Sequence, residues 1–305
     1  MKTLVKICGV TTPAHALVAA EAGADLIGLN FYPPSHRNLA PEAAAGIVRA
    51  LRAAGHGTLA VGLFVNEDPA HINAIAATVG LDLIQLSGDE QPADLARLAR
   101  PVLRAVRIAP GESLVRIRER LTSATTMLGP RDPGPLGQPL TPLLDAHVPG
   151  AYGGTGTPAD WDAAATLARL WPLFLAGGLT SDNVGAAIGA VGPFGVDVSS
   201  GVETAKVKDP AKIRAFIAAV RAADAANTTI APPTLALLSS EQANPPAPSP
   251  NDHGLTAPSS NTRAEREIAL TAQQEAPMSK PAARPRSRVP WPPWRRKHDP
   301  NDPQP

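Results

Sequence analysis

With one cysteine, Cys8, in 305 residues, the chain cannot form an intramolecular disulfide. Phe, Tyr and Trp together make up only 4% of it, so aliphatic side chains must fill any core. No apolar run approaches the ~20 residues that would span a bilayer. The start, Met1-Lys-Thr-Leu-Val-Lys6, reaches Gly9 without the apolar stretch of a signal peptide. No Gly-x-Gly-x-x-Gly follows the first apolar segment, which removes the main support for a dinucleotide-binding fold. His15, His36, His56, His71 and His147 show no metal-ligand spacing. A soluble cytoplasmic protein is expected, in a compartment that keeps a single thiol reduced.

The composition changes after about Ala226. Of 34 prolines, 16 fall between Asn227 and Pro305, in a stretch rich in Ser, Thr, Asn and Gln. Such a segment buries too little apolar surface to offset its ordering entropy, so residues 224–305 read as a disordered Pro-rich tail. Residues 227–305 carry nine basic and seven acidic residues, and residues 1–226 carry 19 and 20, a balance without nucleic-acid-like bias. Near the end, Met278–His298 has seven basic residues, no acidic one, and Trp291 and Trp294. That segment has the chemistry to dock on anionic lipid or RNA. The alternative is a solvated extension with no fixed partner.

Within residues 1–223, apolar strand-like segments alternate with Ala-rich helical ones. The strands read as Leu4–Cys8, Leu26–Phe31, Leu59–Val65, Leu81–Leu86, Val102–Ile108, Pro142–Asp145, Leu173–Ala176 and Val196–Ser199. The helices read as Ala14–Ala22, Pro41–Ala54, Pro69–Val79, Pro92–Ala99, Ser113–Leu121, Asp160–Leu170, Asn183–Ala190 and Ala211–Ala223. Proline or an N-cap residue often precedes them. Eight β/α units in a chain of this length predict one closed (β/α)8 TIM barrel, an α/β fold. The Pro/Gly-rich run from Gly129 to Pro139 reads as a surface loop before the sixth strand.

Such barrels build their sites at the C-terminal ends of the strands. The residues delivered there are Cys8, Arg37, Gln85 and Ser87, Asp145, Gly177-Gly178, and Asp197 to Gly201. Glycines and serines after strands seven and eight suit a phosphate, because backbone N–H groups approach closely and hydroxyls add donors. A phosphorylated small molecule is therefore the expected substrate class. Taken singly, Cys8 also reads as strand-end filler, Asp145 as half of a structural ion pair and Arg37 as a solvated loop residue. Asp82 and Glu90 read as ordinary surface carboxylates.

In combination the motifs are specific. They are Lys6-Ile-Cys-Gly9, Gly28-Leu-Asn-Phe-Tyr-Pro-Pro-Ser-His-Arg37, Val61-Gly-Leu-Phe-Val-Asn66, Leu81-Asp-Leu-Ile-Gln-Leu-Ser-Gly-Asp-Glu90, Leu144-Asp-Ala146 with Gly153-Gly-Thr-Gly156, Leu175-Ala-Gly-Gly-Leu179 with Asn183-Val184, and Gly195-Val-Asp-Val-Ser-Ser-Gly-Val-Glu203 with Lys208-Asp209. In this order, over roughly residues 2–222, the chain resembles the phosphoribosylanthranilate isomerase family of tryptophan biosynthesis.

The resemblance implies an Amadori rearrangement of N-(5-phosphoribosyl)anthranilate, with no metal and no organic cofactor. By the same resemblance Asp145 is the acid that protonates the furanose oxygen, and Cys8 the base that takes the C2′ proton. Arg37 holds the anthranilate carboxylate, while Gly178, Ser199, Ser200 and Gly201 cradle the phosphate. Lys6, on the same strand face as Cys8, either favours the thiolate or pairs with Asp197 across the closing strands. Monomer and homodimer both remain open.

The chain departs from the family pattern at Ser87, where the family commonly has His, and at Ala205-Lys206, where it has Pro-Gly. The Gly129–Pro139 interruption is the third departure. Two other readings stand beside this one. A different phosphosugar enzyme on the same barrel would favour a carboxylate at position 8 or metal-ligand histidines at strand ends. A scaffold that has lost activity would leave the tail as the working part.

Overall fold

The computed structural model describes residues 2–108, 112–128, 132–146 and 160–229. Four β/α units come first: β1 (Leu4–Cys8), α1 (Pro13–Glu21), β2 (Leu26–Asn30), α2 (Pro41–Ala53), β3 (Leu59–Phe64), α3 (Pro69–Val79), β4 (Leu83–Leu86) and α4 (Pro92–Leu95). The second half comprises β5 (Val102–Ile108), α5 (Leu114–Leu128), β6 (Leu140–Ala146), α6 (Trp161–Ala168), β7 (Phe174–Leu175), α7 (Val184–Val191) and β8 (Gly195–Val198). A two-stranded hairpin, β9 (Glu203–Thr204) and β10 (Val207–Lys208), precedes α8 (Pro210–Thr229).

The strands pair in parallel in chain order, and β1 closes on β8 through the register Lys6↔Asp197, giving the expected (β/α)8 barrel. Local chemistry starts the helices where the barrel needs them. Proline occupies the first turn of α1, α2, α3 and α4, where its missing N–H costs nothing. The Thr12 and Asp68 side chains accept backbone N–H bonds at the starts of α1 and α3.

Two apolar clusters result. One lies between the outer strand faces and the helices and includes Ile7, Ile27, Phe64, Ile84, Val198 and Phe216. The other fills the barrel interior with Leu26, Val61, Leu83, Leu103, Leu143 and Phe174. Side-chain period two along each strand then carries the interior from this apolar floor up to Lys6, Cys8, Gln85, Asp145 and Asp197 at the strand ends.

Several boundaries differ from expectation. The Gly129–Pro139 run is not simply surface: a 3-10 turn, Gly134–Leu136, inserts Leu136 into the interior cluster, 8% exposed. Its Pro/Gly content hid one apolar residue whose burial depends on the interior side chains of several strands. The helix α4 stops at Leu95 and α5 runs on to Leu128. Glu90 is buried, accepting N–H bonds from Asn66 and Gly88 and pairing with Arg104, and Asp82 accepts from Ala60 N and pairs with Arg52.

The helix α8 continues past residue 223. Asp224 accepts from the Thr3 backbone N–H and hydroxyl, and Arg221 donates to the Thr3 carbonyl, so these residues tie the last helix to β1. The remainder of the expected tail, with Trp291 and Trp294, lies outside the described residues, as do Gly153–Gly156. No described helix is long and apolar enough to cross a membrane.

Candidate active site

At the C-terminal end of the barrel one cavity of about 70 Å³ is lined by Cys8, Arg37, Gln85 and Asp145 and by the loops around Gly178 and Ser199–Gly201. Every residue expected to act thus faces one space. A larger cavity of about 740 Å³, between β5, α4 and α5, contains Glu90, Arg104, Glu112 and Arg120 but neither Cys8 nor Asp145. Volume alone does not locate the chemistry.

Cys8 ends β1, buried at 6% exposure. Room for it comes from Gly28 on β2, where a Cβ would lie 2.8 Å from Cys8 Sγ and 3.2 Å from Lys6 Nζ. Thiol and ammonium therefore share the space a side chain would fill. Lys6 Nζ donates to Asp197 Oδ1 at 2.9 Å, and Lys6 is fully buried. Burial works against its charge, but Asp197 and Cys8 outweigh that cost and hold its pKa above the ordinary lysine value. Of the two alternatives for Lys6, the pairing with Asp197 is observed, and the same ammonium lies beside the Cys8 thiol. Burial still pushes the Cys8 thiol up, against the opposing pull of Lys6 and Lys208.

Asp145 sits near the end of β6, in register with Arg107 on β5. From β6 to β1 the barrel order passes through β7 and β8, so Cys8 and Asp145 approach the cavity from well-separated strands. A substrate between them can exchange protons with two different groups. Gln85, 3% exposed, donates from Nε2 to Ser87 Oγ at 3.1 Å, while its buried Oε1 has no hydrogen-bond partner among the described residues. Ser87 is thus engaged with Gln85 where the family commonly places an imidazole.

The loops after β7 and β8 pack against one another. Gly177 and Gly178 adopt φ +87° and +62°, a left-handed pair that side chains resist. Asn183 fastens this loop, accepting from Thr180 N and donating to the Gly178 carbonyl. A Cβ on Gly201 would lie 1.9 Å from the Leu179 carbonyl oxygen, so only glycine permits this approach. Ser199 Oγ donates to the Cys8 carbonyl, linking the second loop to β1.

Arg37 is not a solvated loop residue. Its Nε and Nη2 donate to the two Glu203 oxygens at 2.7 and 2.8 Å, and its side chain is 11% exposed. Glu203 also accepts from Lys208 Nζ at 2.7 Å. Burial raises the Glu203 pKa, but the bonds from Arg37 and Lys208 prevail and bring it down to about 2. Glu203 and Lys208 were legible only as motif letters. What makes them partners is the β9–β10 register Lys208↔Glu203 across a turn in which Ala205 and Lys206 take φ +50° and +67° without glycine.

Among the described residues no group of three or more His, Cys, Asp or Glu side chains could hold a metal ion. The model of the N-(5′-phosphoribosyl)anthranilate (PRA) isomerase family matches residues 5–219. The N-(5′-phosphoribosyl)anthranilate isomerase of Roseiflexus sp. is 50% identical over 224 residues, covering 72% of this chain and 98% of that protein. The crystal structure of the Thermotoga maritima phosphoribosyl anthranilate isomerase superposes with TM-score 0.60 at 35% identity, covering 72% of this chain and 99% of that one. A phosphoribosyl anthranilate isomerase in complex with reduced 1-(o-carboxyphenylamino)-1-deoxyribulose 5-phosphate gives 0.58 at 34%, with the same coverage. With the barrel and these matches agreeing, the chain belongs to the PRA isomerase family.

Proposed function

We propose that the barrel mouth performs the Amadori rearrangement with Asp145 as the acid, Cys8 as the base and Arg37 as the carboxylate partner. The enzyme is the isomerase that converts N-(5-phosphoribosyl)anthranilate to 1-(2-carboxyphenylamino)-1-deoxyribulose 5-phosphate in tryptophan biosynthesis. What carries the reading of roles is that all three residues, and both loops suited to phosphate, line one cavity at the strand ends.

Asp145, in its acid form, gives a proton to the furanose oxygen. The C1′–O bond then breaks onto that oxygen, and the nitrogen lone pair forms the C1′=N iminium. Cys8 thiolate removes the C2′ proton, the C–H electrons form C1′=C2′, and the iminium electrons return to nitrogen. The resulting enolamine tautomerises to the ketone. Gly178, Ser199, Ser200 and Gly201 hold the phosphate, and Arg37 the anthranilate carboxylate, so the sugar is fixed at both ends.

The thiolate is the reactive form of Cys8, and burial raises the thiol pKa. The positive charge of Lys6 and Lys208, and of the iminium as it forms, favours the anion. Gln85 Oε1, without a hydrogen-bond partner among the described residues, is placed to accept from a substrate hydroxyl. The reaction needs no cofactor, and a reduced cytoplasmic compartment suits a lone catalytic thiol.

The test is fluorescence-monitored consumption of freshly generated phosphoribosylanthranilate by wild type, Cys8→Ser and Asp145→Asn, each checked for folding by circular dichroism. Turnover by wild type with losses of about 10²–10⁴-fold in kcat for both variants is expected. A folded Cys8→Ser with near-wild-type kcat would remove Cys8 from the mechanism.

A further inference from the structure

We propose that Glu203 is a positioning residue for substrate recognition: it holds the Arg37 guanidinium in the orientation that receives the substrate's carboxylate. This rests on the reading of Arg37 as the carboxylate partner. Arginine has five N–H donors in a rigid planar fork. Glu203 occupies one edge of that fork through Nε and Nη2, which fixes the plane and leaves the Nη1 donors for a ligand.

The rest of the Arg37 arm is equally constrained. Its backbone N–H bonds Ser35 Oγ, and Leu39 N bonds the Asn30 carbonyl, closing the loop that carries it. Its stem crosses Gly9, where a Cβ would lie 2.3 Å from Arg37 Cδ and φ is +76°. Glycine after Cys8 therefore serves the arginine as well as the turn.

Glu203 is itself anchored. Lys208, 3% exposed, donates to Glu203 Oε1 at 2.7 Å and to the Ser199 carbonyl at 2.8 Å, so the hairpin is tied to the phosphate loop. Charge supports the same role. Arg37 and Lys208 with Glu203 between them carry a net +1, the complement of one carboxylate. Without Glu203 the two cations face each other and Arg37 has reason to turn away.

The experiment compares two ligands, 1-(2-carboxyphenylamino)-1-deoxyribitol 5-phosphate and its counterpart lacking the ring carboxylate, binding to wild type, Glu203→Gln, Glu203→Asp and Arg37→Met. Calorimetry gives the affinities, with steady-state kinetics alongside. Arg37→Met should lose about tenfold or more for the carboxylate ligand and little for the other. Glu203→Gln should show the same selective loss, with KM raised more than kcat is lowered, and Glu203→Asp an intermediate one.

If Arg37→Met is selective and the folded Glu203 variants weaken both ligands equally, or neither, Glu203 is structural and the proposal is overturned. If Arg37→Met itself shows no selectivity, the reading of Arg37 fails first and this proposal with it. Should Glu203→Gln not fold, Glu203→Asp keeps the charge and decides the question by the same criterion.

Discussion

Lys6 and Asp197 face each other across the strand pair that closes the barrel, joined Nζ to Oδ1 at 2.9 Å with side-chain exposures of 0% and 9%. A buried pair of this kind contributes little net stability compared with two apolar residues, but removal of one partner strands a charge. Lys6→Met should therefore cost about 3–5 kcal/mol in denaturant unfolding. Lys6→Met combined with Asp197→Leu should recover most of that loss without restoring turnover, because the Lys6 ammonium also lies beside the Cys8 thiol. A single variant as stable as wild type would show that Asp197 finds other compensation.

Cys8 must be a thiolate to act as base, and burial holds its pKa above the ordinary thiol value. The profile of kcat/KM against pH, which reports the free enzyme, should rise toward alkaline pH with its limb above that of an ordinary thiol. In Lys208→Met the limb should move further up, since the Lys208 charge favours the thiolate. A limb well below the ordinary thiol range would mean that the resting site already holds the anion.

Glu203 titrates at about 2 in the folded chain, below its ordinary carboxylate value. A depressed carboxylate contributes stability above its unfolded pKa and loses it as pH falls through the folded value. Unfolding free energy should thus decline between about pH 4.5 and pH 2. In Glu203→Gln the slope over that window should be shallower, as measured by urea midpoints across the range.

Truncation separates the barrel from the C-terminal segment. A chain ending at Thr229 keeps Arg221 and Asp224 against Thr3 and should retain kcat/KM within about twofold of full length. A chain ending at Val220 removes both ties and should lose several degrees of Tm, on the order of 1–3 kcal/mol. Loss of turnover on removal of 230–305 would assign that segment a part in the site.

The alternation of aliphatic strands with proline-led Ala-rich helices determined the barrel, because period-two and period-3.6 patterns are local properties readable without knowledge of what packs where. That Cys8, Asp145 and Arg37 reach the barrel mouth was legible for a related reason, since strand ends and the loops after them form one face of this architecture; the roles proposed for them came only from the family resemblance. Partnership was not legible. That Arg37 reaches Glu203, 166 residues away, depends on a hairpin whose turn has no glycine to announce it. That Leu136 plugs the floor depends on a barrel that must already be closed. Sequence pattern thus determined which elements form and where reactive side chains end up along them. Only the tertiary structure decided which charges meet, because ion pairs and thiol pKa values depend on distance and burial, and these are set by closure of β8 on β1.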